Sequence, residues 1–187
     1  MEIDGSLSNQ MLIAMPGMAD PNFNSTVTLI CEHNSEGALG IVINRPMNLS
    51  LGGLFEQLDV EDTNVAAASC PVLHGGPVAR ERGFVLHNPG CSFESSVAVS
   101  PDIQLTLSRD VLDAIAAGTG PDKSLVALGY AGWEPGQLEA EMLDNTWLSV
   151  PANRQIIFDV PFADRWTSAA GTLGIDISRV SPHAGHA

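Results

Sequence analysis

The hydrophobic positions of this chain follow two spacings, one typical of strands and one typical of helices. Short apolar runs rich in β-branched residues and bounded by loop residues predict strands. The first three runs cover residues 11–15, 27–32 and 38–44. Between the second and third runs lies His-Asn-Ser-Glu-Gly, whose asparagine and glycine suit the positive φ angles of a reversing turn. Residues 27–44 are therefore predicted to form an antiparallel hairpin. Pro46 is expected to end it, because proline lacks an N–H donor.

Apolar residues three or four positions apart predict helices in four further segments. In residues 51–58 they fall at i, i+3, i+4 and i+7, which places them on one helical face. Ser108 is a suitable N-cap for a second helix, and Gly118 is a suitable residue to end it. Pro135 and Pro161 suit the first turns of a third and a fourth helix.

The remaining segments complete the prediction of the fold. Further strands are predicted at residues 71–74, 84–87, 97–99, 103–107, 124–130 and 155–158. Residues 61–69 have no periodicity and predict a loop, and residues 174–187 predict a loosely held tail. Strands with interspersed helices, rather than strict alternation, indicate an α+β fold with a mainly antiparallel sheet, and a doubly wound fold is the alternative. The length and the lack of a linker predict one domain, residues 1–187.

The charge of the chain restricts its possible partners. It has 22 acidic and 8 basic residues, a formal net charge of −14, and Lys123 is its only lysine. Affinity for a nucleic-acid duplex comes from several basic side chains that neutralise phosphates and release counterions. Direct DNA binding is therefore not expected, whereas contact with a basic protein stays open.

The location predicted for the chain is the cytoplasm. The amino terminus has no basic region, and the apolar run of residues 11–18 contains Pro16 and Gly17, so no signal peptide is predicted. No apolar stretch approaches the roughly 20 residues that cross a bilayer, so no membrane contact is expected. The three cysteines are an odd number at wide spacing and are expected to be reduced thiols.

Arginine residues near a glycine loop are the main candidates for a binding site. The guanidinium group recognises carboxylate or phosphate in a bidentate manner, and glycine lets backbone donors approach an anion closely. We therefore predict a site for a small anionic ligand or a protein partner. Its residues are Asn44, Arg45, Gly75, Gly76, Arg82 and His87. The alternative is that the arginines pair with internal carboxylates and fix loops.

Catalytic and metal-binding motifs are not evident in the chain. Gly-x-Ser-x-Gly and Ser-x-x-Lys do not occur, the histidines are dispersed, and neither a metal nor a cofactor is predicted. The alternative to a binding module is an enzyme acting on a small metabolite. It would use Cys31 with His33, which lie at i and i+2 on one strand face, or a histidine–glutamate pair. Cys31 can equally be a small buried apolar residue.

Three dense blocks, residues 33–46, 74–87 and 129–141, carry a family resemblance. Together with Met-Leu-Ile-Ala-Met-Pro at residues 11–16 and Asp-Asn-Thr-Trp-Leu at residues 144–148, they resemble the AlgH/YqgE family of bacterial proteins across nearly the whole chain. The resemblance implies a cytoplasmic α+β domain whose irregular sheet bends into a partial barrel. Members of that family have been labelled transcriptional regulators because of an association with exopolysaccharide control, so the resemblance also implies an indirect regulatory role, but no reaction, cofactor or DNA site.

Overall fold

The computed structural model describes residues 5–180, and its ten strands form one curled sheet. The strands are β1 Gln10–Ala14, β2 Val27–Asn34, β3 Gly37–Val42, β4 Pro46–Ser50, β5 Pro71–His74, β6 Val78–His87, β7 Ser96–Ser100, β8 Ile103–Thr106, β9 Ser124–Trp133 and β10 Trp147–Pro151. They pair in the order β10-β1-β2-β3-β9-β6-β8-β7, with β5 beside β9 and β4 beside β5. The sheet curls into a half-barrel, which confirms the predicted α+β, mainly antiparallel fold.

Short helices connect and cover the strands. They are α1 Leu51–Gln57, α2 Val65–Ala68, α3 Asp110–Ala117, α4 Gln137–Leu143, α5 Arg154–Phe158 and α6 Arg165–Gly171. Single 3₁₀ turns lie at Phe162–Asp164 and Ile177–Arg179. Within residues 5–180, none of these helices has the length and apolar character that crossing a membrane requires.

Strand β9 joins the two parts of the half-barrel. Its carboxyl-terminal residues pair with β3, and its middle residues pair in parallel with β5 along the same edge. Its other edge pairs with β6 over most of its length. Since β9 is flanked by strands on both edges, it lies at the centre of the sheet and positions the elements of the candidate site.

The core consists of three clusters of buried apolar side chains. The largest packs α5 and α6 against strands of the half-barrel, with Leu29, Phe84 and Ile157 among its buried members. A second packs α1 and α3 against β5, β6 and β9. The third contains Trp133 and Trp147 beside α4. Helices therefore cover separate parts of the sheet.

The hairpin and the four principal helices are where the spacing predicted them, with small shifts at their ends. Strands β2 and β3 pair antiparallel, α1 begins after the cap residue Ser50, and α3 ends at Gly118 with φ 76°. The predicted cap Ser108 is wrong, since α3 follows Arg109 without a side-chain cap and the Ser108 hydroxyl donates to Asp110 instead. The prediction of a strand at residues 155–158 is wrong. The side chain of Asn153 accepts a hydrogen bond from the Ile156 amide and starts α5 there. Capping and burial of Ile156 and Ile157 outweigh their preference for strands.

Three further segments differ from the prediction. Pro46 does not end the pairing but begins β4, an outer strand in which a missing donor is tolerated. The predicted loop at residues 61–69 contains α2, which Asn64 caps. Strand β10 was not predicted, because its five residues follow a helix without clear alternation. Of the predicted tail, residues 181–187 lie outside the described residues.

Candidate anion-binding site

A large bulge interrupts β6 where it crosses the centre of β9. Val78 pairs with Tyr130, but the next paired residue of β6 is Gly83, which lies opposite Leu128. Four residues of β6, residues 79–82, therefore stand opposite the single residue Gly129. We call residues 79–82 the arginine bulge, since they read Ala-Arg-Glu-Arg. Bulges redirect side chains away from the regular positions of a strand.

Close backbone packing holds the arginine bulge in place. A Cβ atom on Gly76 would overlap the carbonyl of Tyr130, and one on Gly75 would overlap the carbonyl oxygen of Gly129. Gly129 itself has φ 79° and lies against the carbonyl oxygen of Gly76. Ala79 has φ 46°, a left-handed conformation that costs a residue with a Cβ atom about 1–3 kcal/mol. The surrounding contacts thus fix a backbone that would not form on its own.

The two arginines of the bulge have no carboxylate partner among residues 5–180. Arg80 and Arg82 are exposed, and the Arg82 guanidinium lies 5.8 Å from the centre of the Phe84 ring. The other basic side chains are engaged. Ion pairs join Arg109 to Asp113, Lys123 to Asp159, Arg154 to Asp102 and Arg179 to Asp176, while Arg45 and Arg165 donate to backbone carbonyls.

His74 and Arg45 lie beside the bulge, and the charge of Arg45 adds to its positive potential. The backbone amide of His74 donates to the carbonyl of Arg45 over 2.8 Å. Partial burial lowers the pKa of His74, and the nearby charges of Arg80 and Arg45 lower it further. Three basic side chains from β5, β6 and the segment before β4 therefore lie within electrostatic reach of one another.

Asn44 and Arg45 also hold the preceding loop. The Asn44 side chain accepts from the Val27 amide over 3.0 Å and donates to the carbonyl of Ser25. The Arg45 guanidinium donates to the carbonyls of Pro21, Asn22 and Asn24 and to the side chain of Asn24. Desolvation lowers the pKa of Arg45, and Asp20 partly opposes this. The terminal nitrogens of Arg45 are engaged, so it offers an anion mainly its charge.

The structure brings some of the six predicted residues together and keeps others apart. Arg45 lies next to Gly75 and Gly76, and Arg82 belongs to the bulge that these glycines support. His87 is five residues beyond Arg82, roughly 17 Å along an extended strand. It is fully buried, and its ring bonds Thr106 and the carbonyl of Asn88.

The sequence-based set omitted His74 and Arg80, which the structure places at the centre of this basic cluster. Both lie in the block of residues 74–87 that carries the family resemblance, so their position in the sequence was a usable signal. What the sequence could not show is the bulge, because it arises from the register between β6 and β9. That register decides which of the three arginines lie near one another.

The residues that an enzyme would use in the alternative prediction are buried or hydrogen-bonded within the fold. Cys31 is buried, and desolvation raises the pKa of its thiol to about 12, so it is protonated at neutral pH. The Nδ1 atom of His33 accepts from the Leu7 amide over 2.9 Å. Its Nε2 atom therefore carries the proton and donates to Glu139 over 2.8 Å. This histidine–glutamate pair has no free basic nitrogen, and the described residues contain no cluster suited to a metal ion.

Comparisons with known proteins give one consistent family. A family model described as AlgH-like matches residues 11–178. A UPF0301 protein of Saccharophagus degradans is 55% identical over 97% of this chain and 89% of its own length. Another, from Thioalkalivibrio sulfidiphilus, is 53% identical over 100% of both chains.

Two solved structures have the same architecture. The solution structure of the AlgH protein from Pseudomonas aeruginosa has a TM-score of 0.80 and 49% identity, and the match covers 100% of this chain and 99% of that one. The crystal structure of a Corynebacterium diphtheriae protein has a TM-score of 0.72 over 92% of this chain and 89% of that one. At 18% identity, the second match concerns the fold alone.

Proposed function

The chain belongs to the AlgH-like family, and from that premise and the geometry above we propose that it is a non-enzymatic binding module. It recognises a carboxylate or phosphate group at the arginine bulge, on a protein partner or a small anionic ligand. The site consists of Arg80 and Arg82 with Arg45 and His74 beside them. Gly75 and Gly76 support it from below.

One observation carries the proposal: the chain contains 22 acidic residues, yet Arg80 and Arg82 are paired with none among residues 5–180. In so acidic a protein, an arginine on a mobile loop would find a carboxylate easily. Even Glu81, which lies between the two, forms no ion pair with either. Because the backbone of the bulge is fixed, the two arginine side chains project from fixed positions, and less backbone entropy is lost when an external anion binds.

A regulatory role, if carried out at this site, runs through a partner or effector rather than through DNA. The net charge of −14 repels the phosphate backbone, and the basic cluster is too small to bind a duplex. A single carboxylate or phosphate needs only two well-placed guanidinium groups. The proposal therefore concerns local recognition of an anionic group.

NMR spectroscopy with inorganic phosphate tests the proposal directly. In the ¹⁵N-labelled protein, backbone amide signals of residues 74–84 should shift and saturate as phosphate is added. The double variant Arg80→Gln/Arg82→Gln should lose at least tenfold in affinity. The matched control Arg154→Gln/Arg179→Gln removes two exposed arginines elsewhere and should bind like the wild type.

Two results would contradict the proposal. One is a phosphate response spread over the whole surface, and the other is an unchanged affinity in the bulge variant.

Native mass spectrometry of the gently purified protein then identifies the physiological ligand by mass. An adduct retained by the wild type should be absent from Arg82→Ala.

A further inference from the structure

An open groove lies next to the arginine bulge on the same sheet. It has a volume of about 480 Å³, and its lining includes the apolar side chains of Leu39, Val78 and Tyr130. Three glutamates, Glu32, Glu36 and Glu134, are exposed around it. We call this feature the glutamate groove. It exists partly because Gly132 has no side chain, which leaves space beside the Tyr130 ring.

The glutamate groove and the arginine bulge are continuous. Val78 lines the groove, and the bulge begins at the next residue. Aromatic rings also connect them, since the Arg82 guanidinium lies 5.8 Å from the Phe84 ring and that ring lies 5.4 Å from the Tyr130 ring. Together these two distances place the Arg82 guanidinium within about 11 Å of the Tyr130 ring, a span of three to four extended residues.

The glutamates of the groove and the arginines of the bulge lie on either side of Val78 without forming ion pairs with each other. None of the three glutamates forms an ion pair with a basic residue among residues 5–180, and neither do the arginines of the bulge with an acidic one. The Glu32 carboxylate accepts a hydrogen bond from Asn34, and this contact leaves its charge uncompensated. A basic end and an acidic end thus flank one partly exposed apolar surface, where Val78 is 39% exposed.

From this arrangement we infer that the groove and the bulge form one binding site for an extended peptide segment of a protein partner. The segment carries an acidic residue that contacts Arg80 and Arg82 and, beyond the residues that pass Tyr130, a basic residue that contacts the glutamates. Apolar side chains between them cover Val78 and Tyr130. The inference rests on the proposed function and specifies its ligand.

The shape of the surface favours a peptide over a small molecule. Sites for small molecules bury most of the ligand, typically 70–90% of its surface. This groove is rimmed by exposed glutamates and opens on solvent, so a compact ligand would stay largely hydrated. An extended segment obtains its affinity from contacts spread along the groove, and complementary charges at its two ends fix its direction.

Three blocked five-residue peptides test the inference. Each has Val-Thr-Val at its centre, and the end residues are glutamate and lysine, two glutamates, or two lysines. Binding is measured by ¹⁵N chemical shifts of residues 32–39, 78–84 and 130–134 during titration. The mixed peptide should bind at least tenfold more tightly than either of the others and should shift all three segments.

Two double variants separate the ends of the site. Glu32→Gln/Glu134→Gln should weaken the mixed peptide at least tenfold and should not weaken the two-glutamate peptide, because its second glutamate is no longer repelled. Arg80→Gln/Arg82→Gln should weaken both of these peptides. The control Glu61→Gln/Glu94→Gln removes two exposed carboxylates outside the groove and should bind all three peptides like the wild type.

The outcomes distinguish this inference from the proposed function. If the two-glutamate peptide binds as tightly as the mixed one and the groove variant has no effect, the groove is not part of the site, while the proposed anion site stands. If phosphate and every glutamate-containing peptide fail to bind, both ideas are wrong. Binding of the two-lysine peptide alone would likewise overturn the combined site.

Discussion

At the scale of single residues, the three cysteines differ sharply in their surroundings. Cys31 is buried with a pKa raised to about 12, Cys91 is partly buried, and Cys70 is exposed. Because the thiolate is the reactive form, we expect a thiol reagent to modify Cys70 first and Cys31 only after unfolding. Absorbance after reaction with a disulfide reagent counts the reactive thiols. The measurement in buffer reports Cys70, and the measurement in denaturant also reports Cys31. Equal native reactivity of all three thiols would contradict the burial of Cys31, and Cys31→Ala should leave the native reaction unchanged.

His74 gives a second residue-scale prediction, for the dependence of stability on pH. Its pKa in the folded protein is lower than the ordinary value of 6.5 that it regains on unfolding. Between these two values the unfolded state binds more protons, so stability falls as pH falls below 6.5. Urea unfolding at pH 7.5 and pH 5.5 measures how much the free energy of unfolding falls between these two pH values. This fall should be smaller in His74→Gln than in the wild type. The other histidines are common to both proteins, so the difference reports His74 alone, and equal losses would refute the prediction.

At the scale of elements, the contact between the Gly75–Gly76 segment and β9 determines the shape of the bulge. A Cβ atom on Gly76 would overlap the backbone of Tyr130, which cannot move without displacing β9. Gly76→Ala should therefore lower the free energy of unfolding by about 3 kcal/mol or more. Gly83→Ala is the matched control on β6, because no atom lies within 4 Å of a Cβ there. Gly83→Ala should lower the free energy of unfolding by less than about 1 kcal/mol, as measured by chemical denaturation. Equal losses in the two variants would show that the contact is unimportant.

The same elements show how far the sequence predicts this fold. Hairpin residues 27–44 and helix residues 51–58 were predictable, because each has a turn signal or an apolar face encoded locally. Residues 155–158 were not, since a cap at Asn153 and tertiary burial decide between helix and strand. The arginine bulge depends on pairing between strands about 45 residues apart, which no local pattern encodes. The sequence therefore indicates arginine chemistry near a glycine loop but not which arginines meet.

At the scale of the whole molecule, the net charge of −14 determines what the surface attracts. We expect no binding to a labelled 20-base-pair duplex at protein concentrations up to about 10⁻⁴ M and 0.15 M salt, by fluorescence anisotropy. Lowering the salt concentration should not produce binding, because few basic side chains are free to neutralise DNA phosphates and so release their counterions. Micromolar binding that weakens with salt would contradict the prediction. Arg80→Gln/Arg82→Gln would then show whether the bulge is responsible.

The central position of β9 has a consequence for how the chain folds while it is being synthesised. Strands β3, β5 and β6 all precede it in sequence, and each needs β9 as a neighbour. Until residue 133 has left the ribosome, these three strands lack that partner, and their unpaired backbone edges are open to other chains. The half-barrel therefore closes only after β9 has emerged from the ribosome. We expect nascent chains that stall before residue 124 to be especially prone to aggregation and to capture by chaperones.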